Sequence, residues 1–274
     1  MYRKEKSLPL KSSSAALYNN LSVLRPPDRG LACFSAVHGP SLSLVSVAED
    51  GSGFSHRQLQ AKEGGMAVSV PLLTQAAWCV LPWRVLLVLT SQKGIQMYES
   101  DGSTMVYWHA LDVTEHPPGQ AVFARGIAAA GGRFICVGTS SGLVLVFDIP
   151  PKGTNVVLSA ALERHQHPVT DIAAERGRAP DGAGDLVTAD DAGTLCVWSS
   201  GEEFVLLLSG AEDSFVHVWK LSRNPYTDDI EIQHCHSERV TDTQVCGARF
   251  CDPEGNSFAV TGYDLSEIIR YSRV

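Results

Sequence analysis

The chain has 274 residues, a formal net charge of −8 at neutral pH, 44% hydrophobic residues and 19% charged residues. That composition suits a packed core and excludes a disordered chain. The acidic balance excludes phosphate neutralisation, and with it nucleic acid as a primary partner, because such surfaces carry a basic face.

Residues 1–15 hold the one basic cluster, Arg3, Lys4, Lys6 and Lys11, and read as a flexible, solvated tail. They lack the apolar run of a secretory signal. Residues 16–24 (ALYNNLSVL) read as a strand that completes a sheet formed by the other terminus, a closure that removes an exposed edge. Beyond them one phrase recurs: a small polar turn, then an alternating apolar run ending in an aromatic residue. The copies are TSQKGIQMY (90–98), TSSGLVLVF (139–147), TADDAGTLCVW (188–198), SGAEDSFVHVW (209–219) and TGYDLSEIIRY (261–271), with a weaker VAEDGSGF ending at Phe54. Each reads as strand, tight turn, strand.

The terminal aromatics Phe54, Tyr98, Phe147, Trp198, Trp219 and Tyr271 are spaced by 44, 49, 51, 21 and 52 residues. A four-stranded propeller blade takes about 40–45 residues, more with loop insertions. The fold class is therefore all-β, a β-propeller of four-stranded antiparallel blades with one incomplete blade. Residues 16–274 read as a single domain, with blade segments at about 30–60, 66–100, 101–149, 155–199, 200–222 (truncated) and 230–272. Helical periodicity is poor throughout, and Ser140–Gly142 reads as the turn of a hairpin.

The segment 155–199 carries a family resemblance. RHQHPVTDIA (164–173) followed by DLVTADDAGTLCVW (185–198) resembles the WD repeat, and SGAEDSFVHVW resembles its second half. The resemblance implies a WD40-like propeller in which a histidine, a turn aspartate, a strand Ser or Thr and a tryptophan form a buried hydrogen-bonded set. Here the set maps onto His165, Thr188 and Trp198 in one blade, with Ala192 in the aspartate slot and Asp190 or Asp191 as its substitute. It maps onto Ser209, Asp213 and Trp219 in the next. Polar groups inside a blade must find partners, and an indole N–H is a good donor.

The 21-residue interval leaves no room for a histidine-bearing stretch before Ser209. The chain thus reads as a shortened form lacking about one blade, joined near Phe204–Leu207, as alternative splicing would produce. The strand edges this leaves unpaired favour self-association.

Sites of chemistry are weighed against that frame. His165-Gln166-His167 and His234-Cys235-His236 offer imidazoles at strand spacing, but neither has the second ligand pair that structural zinc requires. The prediction is no metal and no cofactor. No GxSxG, Walker loop, HExxH or dinucleotide fingerprint occurs, and no catalytic residue is assigned. Phe123-Ala124-Arg125-Gly126 departs from the Phe-Arg-Arg-Gly motif of phosphoinositide-binding propellers by one arginine. Pro150, Gly201 and Ser222 stand where cullin-ligase receptors of the family carry an arginine.

Cys33, Cys79, Cys136 and Cys196 lie inside apolar strands, and Cys235, Cys246 and Cys251 bring the count to an odd seven. That usage reads as free thiols of a reducing compartment. The longest apolar stretch, Cys79 to Thr90, contains Pro82 and Arg84 and is too short to span a bilayer.

The sequence therefore predicts a non-catalytic protein–protein interaction scaffold or adaptor in the cytoplasm. Its partners are other proteins, a further copy of itself among them, with no nucleic acid and no direct membrane insertion. The alternatives are a self-assembling adaptor brought to membranes or vesicles by its partners, and a non-catalytic subunit of an enzyme complex. The expected contact loops are 112–120, 175–184 and 225–229.

Overall fold

A computed structural model describes residues 2–15, 17, 19–26, 30–48, 53–60, 71–111, 122–174, 186–198, 205–210, 213–223, 230–240, 242–252 and 255–273. The three expected contact loops lie outside them. All regular structure among the described residues is β, in twenty-three strands and six antiparallel sheets. The chain packs as two compact units where the sequence predicts one domain: Met1–Gln60 with Glu202–Val274, and Ala61–Gly201. The division falls beside the short interval.

In the first unit, strands β1 (Tyr2–Lys4) and β2 (Leu8–Pro9) open the chain, followed by β3 (Ser22–Leu24), β4 (Leu31–His38), β5 (Ser41–Ala48) and β6 (Phe54–Gln60). In the second unit come β7 (Leu73–Val80), β8 (Val85–Ser91), β9 (Gly94–Glu99) and β10 (Met105–Ala110), then β11 (Ala124–Ala130), β12 (Phe134–Thr139), β13 (Leu143–Asp148) and β14 (Val157–Glu163). β15 (Val169–Ala174), β16 (Leu186–Asp190) and β17 (Leu195–Trp198) complete that unit. The first unit resumes with β18 (Val205–Gly210), β19 (Phe215–Arg223), β20 (Ile230–Arg239), β21 (Val245–Phe250), β22 (Ser257–Gly262) and β23 (Glu267–Arg273).

Consecutive strands pair as meanders: β3 to β6, β7 to β10, β11 to β14, β15 to β17, β18 to β20, and β21 to β23 joined by β1 and β2. Within the second unit the opening strands β7, β11 and β15 pack side by side. Within the first, β18, β21 and β3 do so. The apolar residues of these meanders fill the space between neighbouring sheets. One cluster runs through Leu86, Val88, Ile95, Met97, Ile135, Val137 and Phe147, and another through Phe34, Val45, Ala259 and Ile268.

Two expectations about the N-terminal residues are corrected. The closing strand is not 16–24, since Ser22–Leu24 pairs with its own neighbour β4. Nor is 1–15 a tail. Tyr2–Lys4 pairs with Tyr271–Arg273 and Leu8–Pro9 with Glu267–Ile268, so the two chain termini share one sheet. Glu5 fixes the register, reaching Arg270 at 2.9 Å and accepting from the Ser272 hydroxyl. Three paired residues carry too little pattern to be read as a strand, and their partner lies at the far end of the sequence.

Two sheet boundaries fall one strand later than the predicted blade segments: β9 and β13, which carry Tyr98 and Phe147, are each followed by an outer strand, β10 and β14. Outer strands such as β6 and β14 are exposed along most of their length. Exposed strands lack apolar alternation and so lack a sequence signal. Phe54 belongs to such a strand and is 51% exposed, whereas Tyr98, Phe147 and Tyr271 are buried. Phe54 is therefore not a copy of the recurring aromatic.

Candidate functional site

The second strand of four sheets carries a buried threonine within two residues of its end: Thr90, Thr139, Thr188 and Thr261. A buried hydroxyl needs a partner, and each sheet supplies a different one. Thr90 accepts from the Thr74 hydroxyl at 2.9 Å, and the Ala124 carbonyl stands 2.5 Å from the same hydroxyl. Thr139 donates to the Leu143 carbonyl at 3.1 Å, inside its own hairpin. Thr261 donates to the Asn20 carbonyl at 3.1 Å. Thr188 meets the imidazole Nε2 of His165 at 2.7 Å.

The His165 network is a deeply enclosed polar arrangement of the second unit. Its side chain and that of Asp190 are 0% and 1% exposed, with Nδ1 to Oδ2 at 3.0 Å. The carboxylate only accepts, so Nδ1 carries the proton; in the neutral ring Nε2 then accepts from the Thr188 hydroxyl. The other carboxylate oxygen of Asp190 accepts from the backbone N–H of Ala192 at 3.1 Å and of Thr194 at 2.8 Å. The turn aspartate is thus Asp190. Asp191 points outward, 3.9 Å from His167, with both side chains more than half exposed. Burial pushes the Asp190 carboxyl up, but the Thr194 N–H and the His165 ring together outweigh it and hold the group below its ordinary range.

Trp198 lies in β17, opposite Leu186; its side chain is outside the described set, as is that of Ser209. The second predicted set has a different geometry. Asp213 is exposed, and its carboxylate accepts from the Phe215 N–H at 3.0 Å within the turn before β19. Trp219 packs edge-on against His234, ring centroids 4.8 Å apart, and lies 5.5 Å from His217.

Sequence reasoning missed Asn20. It is buried, accepts from the Val37 N–H at 2.6 Å through its side-chain oxygen, and donates to the Val37 carbonyl at 2.9 Å. Its signal is weak because one buried Asn in a short polar stretch looks like a turn residue. Gln75 has a parallel role, accepting from the Gly126 N–H at 2.7 Å. Within Phe123–Gly126 the Arg125 guanidinium sits 5.5 Å above the Phe123 ring.

Gly142 ties the hairpin of β12 and β13 to the His165 network. Its φ is +85°, and a Cβ there would stand 2.3 Å from the His165 carbonyl oxygen. Gly142→Ala is expected to cost at least about 2 kcal/mol, from left-handed backbone plus that collision. Urea unfolding followed by circular dichroism measures it; an unchanged midpoint would refute the coupling.

Three of the buried thiols are poor nucleophiles. Burial pushes Cys136 up to about 12 and Cys246 and Cys251 up to about 11. A thiol at such values carries almost no thiolate near neutrality. Among the described residues no group of three metal-ligating side chains converges, and no helix is long and apolar enough to cross a membrane.

Repeated meanders with a recurring buried threonine and aromatic, one of them held by a His–Asp–Thr network, define a β-propeller protein of the WD-repeat class. The profile of the WDR54 family matches residues 1–209 and 205–274. The chain belongs to that family. It is 53% identical to mouse and to human WD repeat-containing protein 54, and 52% identical to rat WD repeat domain 54, each over 336 residues that take in all of both chains. This chain is a shortened form: 274 residues against 336 is a difference of 62. The two matched stretches meet over residues 205–209, which places the interruption at the short interval.

Proposed function

We propose that the chain is a non-catalytic scaffold that binds other proteins through the exposed ends of its blades. The observation that carries this reading is the use made of its reactive groups. The buried histidine, aspartate and threonine that could resemble a catalytic set are closed on one another and on backbone N–H groups. WD-repeat propellers bind other proteins, and the present fold offers rigid sheets with turns at both ends.

Among the described turns, the one between β7 and β8 is the best built for contact. Trp83 at its tip is 72% exposed. The neighbouring Arg84 is pinned by Glu99 at 2.5 Å and by the Gly153 carbonyl at 2.7 Å. A large aromatic on a fixed turn is the kind of residue that dominates binding energy at interfaces.

Affinity capture with cross-linking from cytosol tests the reading. A protein partner in stoichiometric amount is expected, with recovery reduced at least about tenfold by Trp83→Ala, a loss of about 1.4 kcal/mol or more. Recovery of the chain alone, or of chaperones only, would count against the scaffold reading. Undiminished recovery with Trp83→Ala would move the contact to another turn.

A further inference from the structure

We propose that His217 and His234 form a cross-strand two-imidazole site for a divalent transition-metal ion of the zinc class. The register places Trp219 opposite His234 and Val218 opposite His236, so Cys235 is the extra residue of a bulge. Side chains alternate along a strand, and directly opposed residues share a face. His217, Trp219 and His234 therefore lie on one face of the β19–β20 ladder. Val216, Val218, His236 and Glu238 lie on the other.

Nδ1 of His217 stands 3.2 Å from Nε2 of His234. Zinc–imidazole bonds of about 2.0–2.1 Å at a tetrahedral angle put two ligand nitrogens about 3.3–3.4 Å apart. The observed separation is within a tenth or two of an ångström of that spacing, and the rings must also turn so that both lone pairs converge on the ion. Without metal the same spacing suits one N–H···N hydrogen bond. On binding, the proton held between the rings moves to the far nitrogen of its own imidazole, leaving two neutral rings with converging lone pairs.

The rings are already ordered. Trp219 stands edge-on to His234 at 4.8 Å, and Phe215 stacks on His217 with centroids 6.1 Å apart and planes at 21°. Pre-organised ligands lose little conformational freedom on binding. Imidazole suits zinc, nickel and copper and not calcium or magnesium. Two protein ligands leave the remaining positions to water or to a donor from a bound partner.

Calorimetric titration of the untagged full chain with zinc chloride tests the site. One ion per chain is expected. His217→Gln or His234→Gln should weaken binding at least tenfold. His236→Gln, on the opposite face beside Glu238 at 3.3 Å, should leave it unchanged. Should a variant fail to fold, imidazole NMR of the natural chain decides, since zinc must shift the His217 and His234 ring resonances first. Equal weakening by His236→Gln, or first shifts at other histidines, would overturn the site.

Discussion

Replacing His165 by alanine is expected to lower the midpoint of thermal unfolding by on the order of 10 °C. The substitution removes a ring that satisfies two buried groups at once, at 2.7 Å and 3.0 Å. Thr188 is 0% exposed, so its hydroxyl cannot turn to water instead. An unsatisfied buried polar group costs more than the bond it loses, and a buried carboxylate that loses a donor costs more still. Acid titration gives the same network a signature. The folded-state pKa of Asp190 is depressed, so its contribution to stability is complete above the ordinary carboxylate range, near pH 4. It is lost as pH falls through the lower folded value. Asp190→Asn should therefore flatten the acid limb of a stability–pH curve. An unchanged limb, or a His165→Ala midpoint within 2 °C of the natural chain, would show that the network is not a support.

The second hairpin of four sheets was legible in the sequence because it combines three constraints. The polar turn, the buried threonine and the aromatic recur together, and Thr90, Thr139, Thr188 and Thr261 all occupy one structural slot. What satisfies that threonine was not legible beyond His165, because each sheet uses a distant group: Thr74, Asn20, or a carbonyl of its own hairpin. Asp190 and Asp191 could not be separated by type. The turn separates them, turning Asp190 inward onto the N–H groups of Ala192 and Thr194. The outer strands escaped because solvent exposure erases their periodicity, as Phe54 shows. The terminal pairing of β1 with β23 escaped because it joins Tyr2 to Arg273, a contact no local pattern encodes.

Restoring the segment at residues 205–209 is expected to give the largest effect of all: a monomer in place of a self-associating chain, and a thermal midpoint higher by on the order of 10 °C. The argument rests on strand identity. In the four-stranded sheet β11–β14 the threonine ends the second strand and the aromatic sits on the third. By that rule β16 and β17 are second and third strands, carrying Thr188 and Trp198. Likewise β18 and β19 are second and third, carrying Ser209 and Trp219. Among the described residues, β15–β17 thus lacks its fourth strand and β18–β20 its first. A fourth strand, one whole blade and a first strand make six strands. At about 40–45 residues per four strands, six need about 60–70, and the chain is 62 residues shorter than its relatives. The shortening therefore takes more than one blade: among the described residues it also leaves each of two neighbours with three strands. β18 (VLLLSG) is left as an uncharged edge strand, with none of the lysine, proline or bulge that protects natural edges. Light scattering of the two forms at equal concentration decides. Equal mass and equal midpoint would mean that the three-stranded sheets are complete as they stand.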